Sequence, residues 1–91
     1  MTVRLTDGTE INNVTLCTPN TIDGALVIEI TEVDIPRMAE LTALLGDREK
    51  AAVIVSTNSK GIETEHAGYA HLKAVGYDGV RQTLTVFMDD R

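Results

Sequence analysis

Three Asp-Gly pairs punctuate this chain, Asp7-Gly8, Asp23-Gly24 and Asp78-Gly79, each set between runs rich in Val, Ile, Leu and Thr. Asp-Gly suits a two-residue hairpin turn, because both central residues need φ > 0, which Gly accepts freely and Asp tolerates. The pattern therefore predicts short antiparallel strands folded back on one another. At 91 residues the chain is expected to form a single domain, 1–91, with one modest core. Such a chain buries roughly 60–65% of the surface that its unfolded form exposes.

Alternation places the strands. Val3 and Leu5 alternate with Arg4 and Thr6 in a first strand that ends at Asp7-Gly8. In the second, Val14 and Leu16 share a phase that excludes Ile11, and a bulge near Asn12-Asn13 would reconcile them. The third runs from Ala25 to Thr31, with Leu26, Ile28 and Ile30 on one face.

One helix follows. Asp34 is suited to cap it, Pro36 is tolerated in its first turn, and Gly46 is a natural stop. Ile35, Met38, Leu41, Leu44 and Leu45 recur at spacings of three and four and form one apolar stripe. Beyond it, Ala51 to Val55 is apolar at every position, as in a central strand covered on both faces. A long strand from about Ile62 to Val75, with a bulge at Gly68, then pairs with a last strand from Val80 to Met88.

The expected class is α+β, mainly β. Two antiparallel three-stranded meanders are joined by one helix, β-β-β-α-β-β-β, as a small sandwich or a partly open barrel. One helix covers one side of a sheet, so Ala51–Val55 needs a second layer, from the other meander or from another subunit.

Composition narrows the function. The net charge is -6, with eight Lys and Arg against fourteen acids, which disfavours phosphate binding and predicts no nucleic-acid partner. No apolar run approaches the ~20 residues of a spanning helix, and Met1 to Asp7 lack the apolar stretch of a signal peptide. The expectation is a soluble protein of the cytoplasm. Cys17 is the only cysteine, so no disulfide can form within the chain.

Candidate chemistry is sparse. Glu63, Glu65, His66 and His71 are the one cluster resembling metal ligands, but His66 and His71 are five apart and an extended chain sends them to opposite faces. They read as surface histidines on an exposed strand, with no metal. Cys17 has neither basic neighbours nor a following helix N-terminus to activate it as a nucleophile, and reads as a small buried hydrophobe. Of Glu29, Glu32, Glu63 and Glu65, the last two share a strand face and read as its solvent side. Gly68-Tyr69-Ala70-His71 lacks the spacing and the Lys of a phosphate-binding loop. No catalytic residue, cofactor or small-molecule substrate is expected. Phe87 alternates onto the face opposite Leu84, Val86 and Met88, which makes it the candidate partner contact unless another element covers it.

The order of these pieces resembles small proteins encoded in the structural-gene region of tailed phages and prophages of Gram-positive bacteria. The likeness rests on Val3-Arg4-Leu5-Thr6-Asp7-Gly8-Thr9 at the start, on Gly68-Tyr69-Ala70-His71-Leu72, and on Leu84-Thr85-Val86-Phe87-Met88 in the closing strand. The resemblance implies an accessory structural or assembly role at a tail, baseplate or neck, in the host cell or the virion. Its implied partners are a second copy of the chain or other phage structural proteins, and it implies no catalytic residues. The alternative is an acidic inhibitor encoded on a mobile element and directed against a host nucleic-acid-binding protein.

Overall fold

A computed structural model describes residues 1–90. In chain order it contains β1 (Thr2–Arg4), β2 (Glu10–Ile11), β3 (Val14–Pro19), β4 (Leu26–Ile30), α1 (Ile35–Leu45), β5 (Val53–Thr57), β6 (Glu63–Ala67), β7 (His71–Asp78) and β8 (Thr83–Asp89). The strands form two four-stranded sheets, A in the order β2-β1-β5-β6 and B in the order β3-β4-β8-β7. All pairs are antiparallel, and neither sheet closes into a barrel. The protein is thus mainly β, with one helix and two antiparallel sheets.

The grouping of strands differs from the two expected meanders. Both of the strands predicted to carry a bulge break there, and at each break the chain leaves sheet A for sheet B. The first break is at Asn12-Asn13, where Asn13 takes φ 60 and its carbonyl accepts from the N–H and hydroxyl of Thr31 at 2.9 and 3.1 Å. The second is at Gly68, φ 88, which is a corner between sheets and not a bulge. A left-handed residue suits either role, since both need a reversal that L side chains resist. Each sheet therefore draws strands from both sides of the helix.

A bulge does occur in β3, at Thr15. It turns Cys17 inward beside Val14 and leaves Leu16 39% exposed, so Leu16 is not the core residue that its phase suggested.

The turns lie where Asp-Gly placed them, but their geometry differs. Gly8 and Gly24 have φ of 89 and 75, whereas none of the three aspartates has positive φ. Each Asp side chain instead accepts from a backbone N–H two residues on: Asp7 from Thr9, Asp23 from Ala25 and Asp78 from Val80. These are Asx turns. In the last, Gln82 and not Gly79 carries the positive φ.

Asp34 caps α1 by accepting from the Arg37 N–H at 2.9 Å, and the Gly46 N–H closes the other end on the Thr42 carbonyl at 2.9 Å. The buried stripe is Leu41 and Leu45, flanked by half-buried Met38 and Leu44. Ile35 is 68% exposed, and Val33, just before the cap, is buried in its place. Val33 is tied to sheet B twice, donating to the Gln82 carbonyl at 2.8 Å and accepting from the Tyr77 hydroxyl at 2.6 Å. At the helix C-terminus, Gly46 lies against Leu72. α1 thus runs beside β7, from Tyr77 towards Leu72.

One apolar cluster joins the two sheets and the helix. It includes Val3 and Ile54 of sheet A, Ile28 and Val86 of sheet B, and Leu41 of α1. β5 is internal to sheet A, but it begins at Val53 and runs on into Ser56 and Thr57, so Ala51 and Ala52 precede it and it is not apolar at every position as expected. Among the described residues no layer covers its outward side. Val53 and Val55 are half-buried, and Val55 is flanked in register by Arg4 and Glu65. Long charged side chains can shade apolar surface with their stems while their heads stay in water.

Among the described residues no helix is long and apolar enough to cross a membrane.

Candidate functional site

The chain's chemically versatile side chains separate into an interior cluster and an outward face. The interior cluster lies between the sheets. Cys17 of β3 faces inward opposite Ile28, and Ser56 and His66 face inward from sheet A. Ser56 Oγ and His66 Nε2 are 3.0 Å apart, with the residues 6% and 8% exposed. Ser56 is also near enough to the Cys17 thiol to oppose the rise in its pKa, so the three polar side chains span the apolar layer from one sheet to the other.

His66 is therefore not the surface histidine that the sequence suggested. It pairs with Ile54 across β5 and β6, and that register turns it into the core while Glu65 opposite Val55 turns outward. Glu63 and Glu65 do lie on the solvent side, and Glu63 meets Arg4 at 3.4 Å.

A Ser–His pair at this distance is also the beginning of a nucleophilic constellation, as is a Cys beside a base. The surroundings work against both. Burial pushes the Cys17 thiol up to about 11, outweighing the opposing effect of Ser56, so near neutral pH the sulfur is a thiol and not the reactive thiolate. Burial holds His66 below its ordinary value near 6.5, which keeps the imidazole neutral. No carboxylate is among the hydrogen-bond partners of this cluster, and both residues are buried. What this arrangement supplies is a satisfied polar bridge across the core.

His71 is separate from His66. It lies half-buried at the start of β7 in the other sheet, with its Nδ1 3.0 Å from Arg48 Nη2. Among the described residues, no three His, Cys, Asp or Glu side chains are grouped to hold a metal ion.

The outward face of sheet B is the other candidate. Phe87 lies on it, as its alternation predicted, with Val27 on one side and Ala74 on the other in register. Thr18 continues this row onto β3. In the next row, Leu16, Glu29, Thr85 and Gly76 lie side by side. Among the described residues no helix or second sheet crosses this side, and Phe87 is half-buried. A hollow of about 210 Å³ is lined by Phe87, Ala74, Asp23 and Lys73, and the last two form an ion pair at 3.7 Å. A wider cleft of about 580 Å³ opens past the same pair, towards Tyr69, Asp89 and Asp90.

Ser56 was the residue that sequence reasoning passed over. Its signal was a hydroxyl on the inward phase of β5, two residues after Ile54, where apolar residues otherwise stand. Comparison with protein-family models, with curated proteins and with solved structures finds no match to this chain.

Proposed function

We propose that this chain is a small non-enzymatic protein of a phage or prophage, an accessory structural component or assembly factor that works by protein–protein contact. The observation that carries the reading is the outward face of sheet B. An apolar row, Val27–Phe87–Ala74, lies on sheet B with no layer of the described residues above it, and an ion pair marks its rim. Interfaces anchor on such aromatic residues within a polar surround. The resemblance of this chain's short motifs to those of small phage structural-region proteins is what suggests the setting, at a tail, baseplate or neck.

The test is co-sedimentation of tagged chain with particles released from an induced lysogen. The chain should travel with the particles, and Phe87→Ser should lose most of that association while circular dichroism and the melting curve stay close to the parent's. Chain found only in the unsedimented fraction would sink the reading.

A second reading has one observation in its favour. Asp23, Asp89 and Asp90 converge on the 580 Å³ cleft, as an acidic inhibitor of a host nucleic-acid-binding protein would need. Against it, Lys73 shares that cleft, and Glu10, Glu63 and Glu65 lie apart from it, in the other sheet. Salt-sensitive competition with DNA for such an enzyme would favour this alternative.

A further inference from the structure

We propose that β7 is a self-pairing edge, through which two copies of this chain join antiparallel and merge their four-stranded sheets B into one sheet of eight. The inference rests on the protein–protein reading above and names the partner as a second copy.

An open edge is a row of unpaired backbone groups, and proteins guard such rows with shortness, charge, proline or bulges. The two sheets have four edges: β2, β6, β3 and β7. β2 is two residues long. β6 carries exposed Glu63 and Glu65, with Glu63 already drawn to Arg4. β3 is interrupted by its bulge and ends in Pro19, which has no N–H to offer. β7 is the longest strand, at eight residues, and its one irregularity lies at Lys73. From Ala74 to Asp78 its register with β8 is unbroken, and Ala74 and Gly76 leave the backbone open to approach.

The layer beneath this edge is also incomplete. Val75 pairs with Val86 and shares its inward phase, yet Val75 is 39% exposed where Val86 is 0%. The helix reaches Leu72 at one end of β7 and the Val33–Tyr77 bond closes the other, so the apolar margin gapes between them.

A second copy fits this gap by symmetry. Antiparallel strands about a two-fold axis normal to the sheet keep their faces, so the inward sides stay inward. Centred on Val75, such pairing sets Val75 against its own counterpart and Ala74 against Gly76. It also brings the Lys73 end of each strand to the Asp78 end of the other, whereas parallel pairing would set like against like. Lys73 is about half exposed and held by Asp23 at 3.7 Å, a surface pair loose enough to accept a second carboxylate. The same pairing continues the Val27–Phe87–Ala74 row of one copy into the Gly76–Thr85–Glu29 row of the other. An edge contact buries little area, so the dimer is weak and depends on concentration.

The test uses the full chain. Light scattering behind a sizing column, over a concentration series, should show mass rising from one chain towards two. Amide exchange read over the same series should slow at residues 73–77 and stay constant along β6 and β3. Val75→Lys places a guarding charge on the edge and should hold the mass at one chain throughout. Lys73→Asp should shift the midpoint of association to higher concentration. A single-chain mass at all concentrations overturns the inference, as does association that survives Val75→Lys or protection that appears at β6 or β3. Because the exchange measurement needs no substitution, a misfolded variant cannot mask the result. A monomer that still binds particles through Phe87 overturns only the β7 edge, and a β7 dimer that ignores particles overturns only the phage setting.

Discussion

Sheets A and B do the same job with different means. In sheet B the inward side of the central pair is wholly apolar: Leu26, Ile28 and Ile30 lie against Met88, Val86 and Leu84, all at most 2% exposed. In sheet A the inward side begins with Val3, Ile11 and Ile54 and ends in Ser56 and His66. Apolar contact is strong but indifferent to small slips, whereas a hydrogen bond exists only in one register. A one-residue slip of β6 would bring Glu65 inward and His66 out, leaving Ser56 against a carboxylate in the core. The polar pair in sheet A gives specificity to short strands that have little apolar area to spend on it.

The largest effect that could break this comparison lies in the cores of the two sheets. Ile28→Ala, in the centre of sheet B, should lower stability to urea by about 3–4 kcal/mol, and Ile54→Ala in sheet A by about 2–3 kcal/mol. Both residues are 0% exposed, but Ile54 lies next to His66, where a relaxed cavity can gain polar partners. Equal losses would mean that the polar pair does not soften its surroundings.

pH sharpens the contrast next. The folded state binds the His66 proton less readily than the unfolded chain, because burial lowers its pKa from near 6.5. The stability from keeping this ring buried and neutral is therefore complete above 6.5. It is lost as pH falls through that value towards the lower folded one, at up to about 1.4 kcal/mol per pH unit. Urea midpoints in mildly acidic and mildly alkaline buffer should show this loss in the parent and much less of it in His66→Gln. A parent and variant with the same pH slope would remove His66 as its source. The smallest effect is on the outside of sheet A, where Arg4 and Glu63 meet at 3.4 Å with side chains 42% and 54% exposed. A double-mutant cycle there should return about 0.2–1 kcal/mol, lost in high salt.

Local chemistry was legible and sheet membership was not. Asp34 and Gly46 bound the helix because caps act within a few residues, and Phe87 was placed outward because alternation with Leu84, Val86 and Met88 is a period-two signal. The phase conflict between Ile11 and Val14 did mark an irregularity at Asn12-Asn13. A bulge and a crossing between sheets leave the same trace, however, and only the position of Thr31 settles which it is. Gly68 is ambiguous in the same way. The burial of His66 had no signal at all, since β6 offers Thr64 and His66 on its inward phase and neither is apolar. The outward row on sheet B was visible at Phe87 alone, because its other members come from strands far away in sequence.

The two crossings also decide how the chain must fold in time. β1 cannot find its second partner until β5 exists, and β4 waits for β8, with Leu26 pairing to Met88. Neither half of the chain holds a complete sheet, so no early hairpin can mature by itself into a stable unit. Contacts between distant residues close large loops before they return any stabilisation, which slows folding relative to chains built from neighbouring elements. The helix makes only local bonds, but at eleven residues it is marginal without the sheets to pack against. Both sheets must assemble with it in one cooperative step, and a cut in the loop after Gly46 would leave two fragments that need each other to fold.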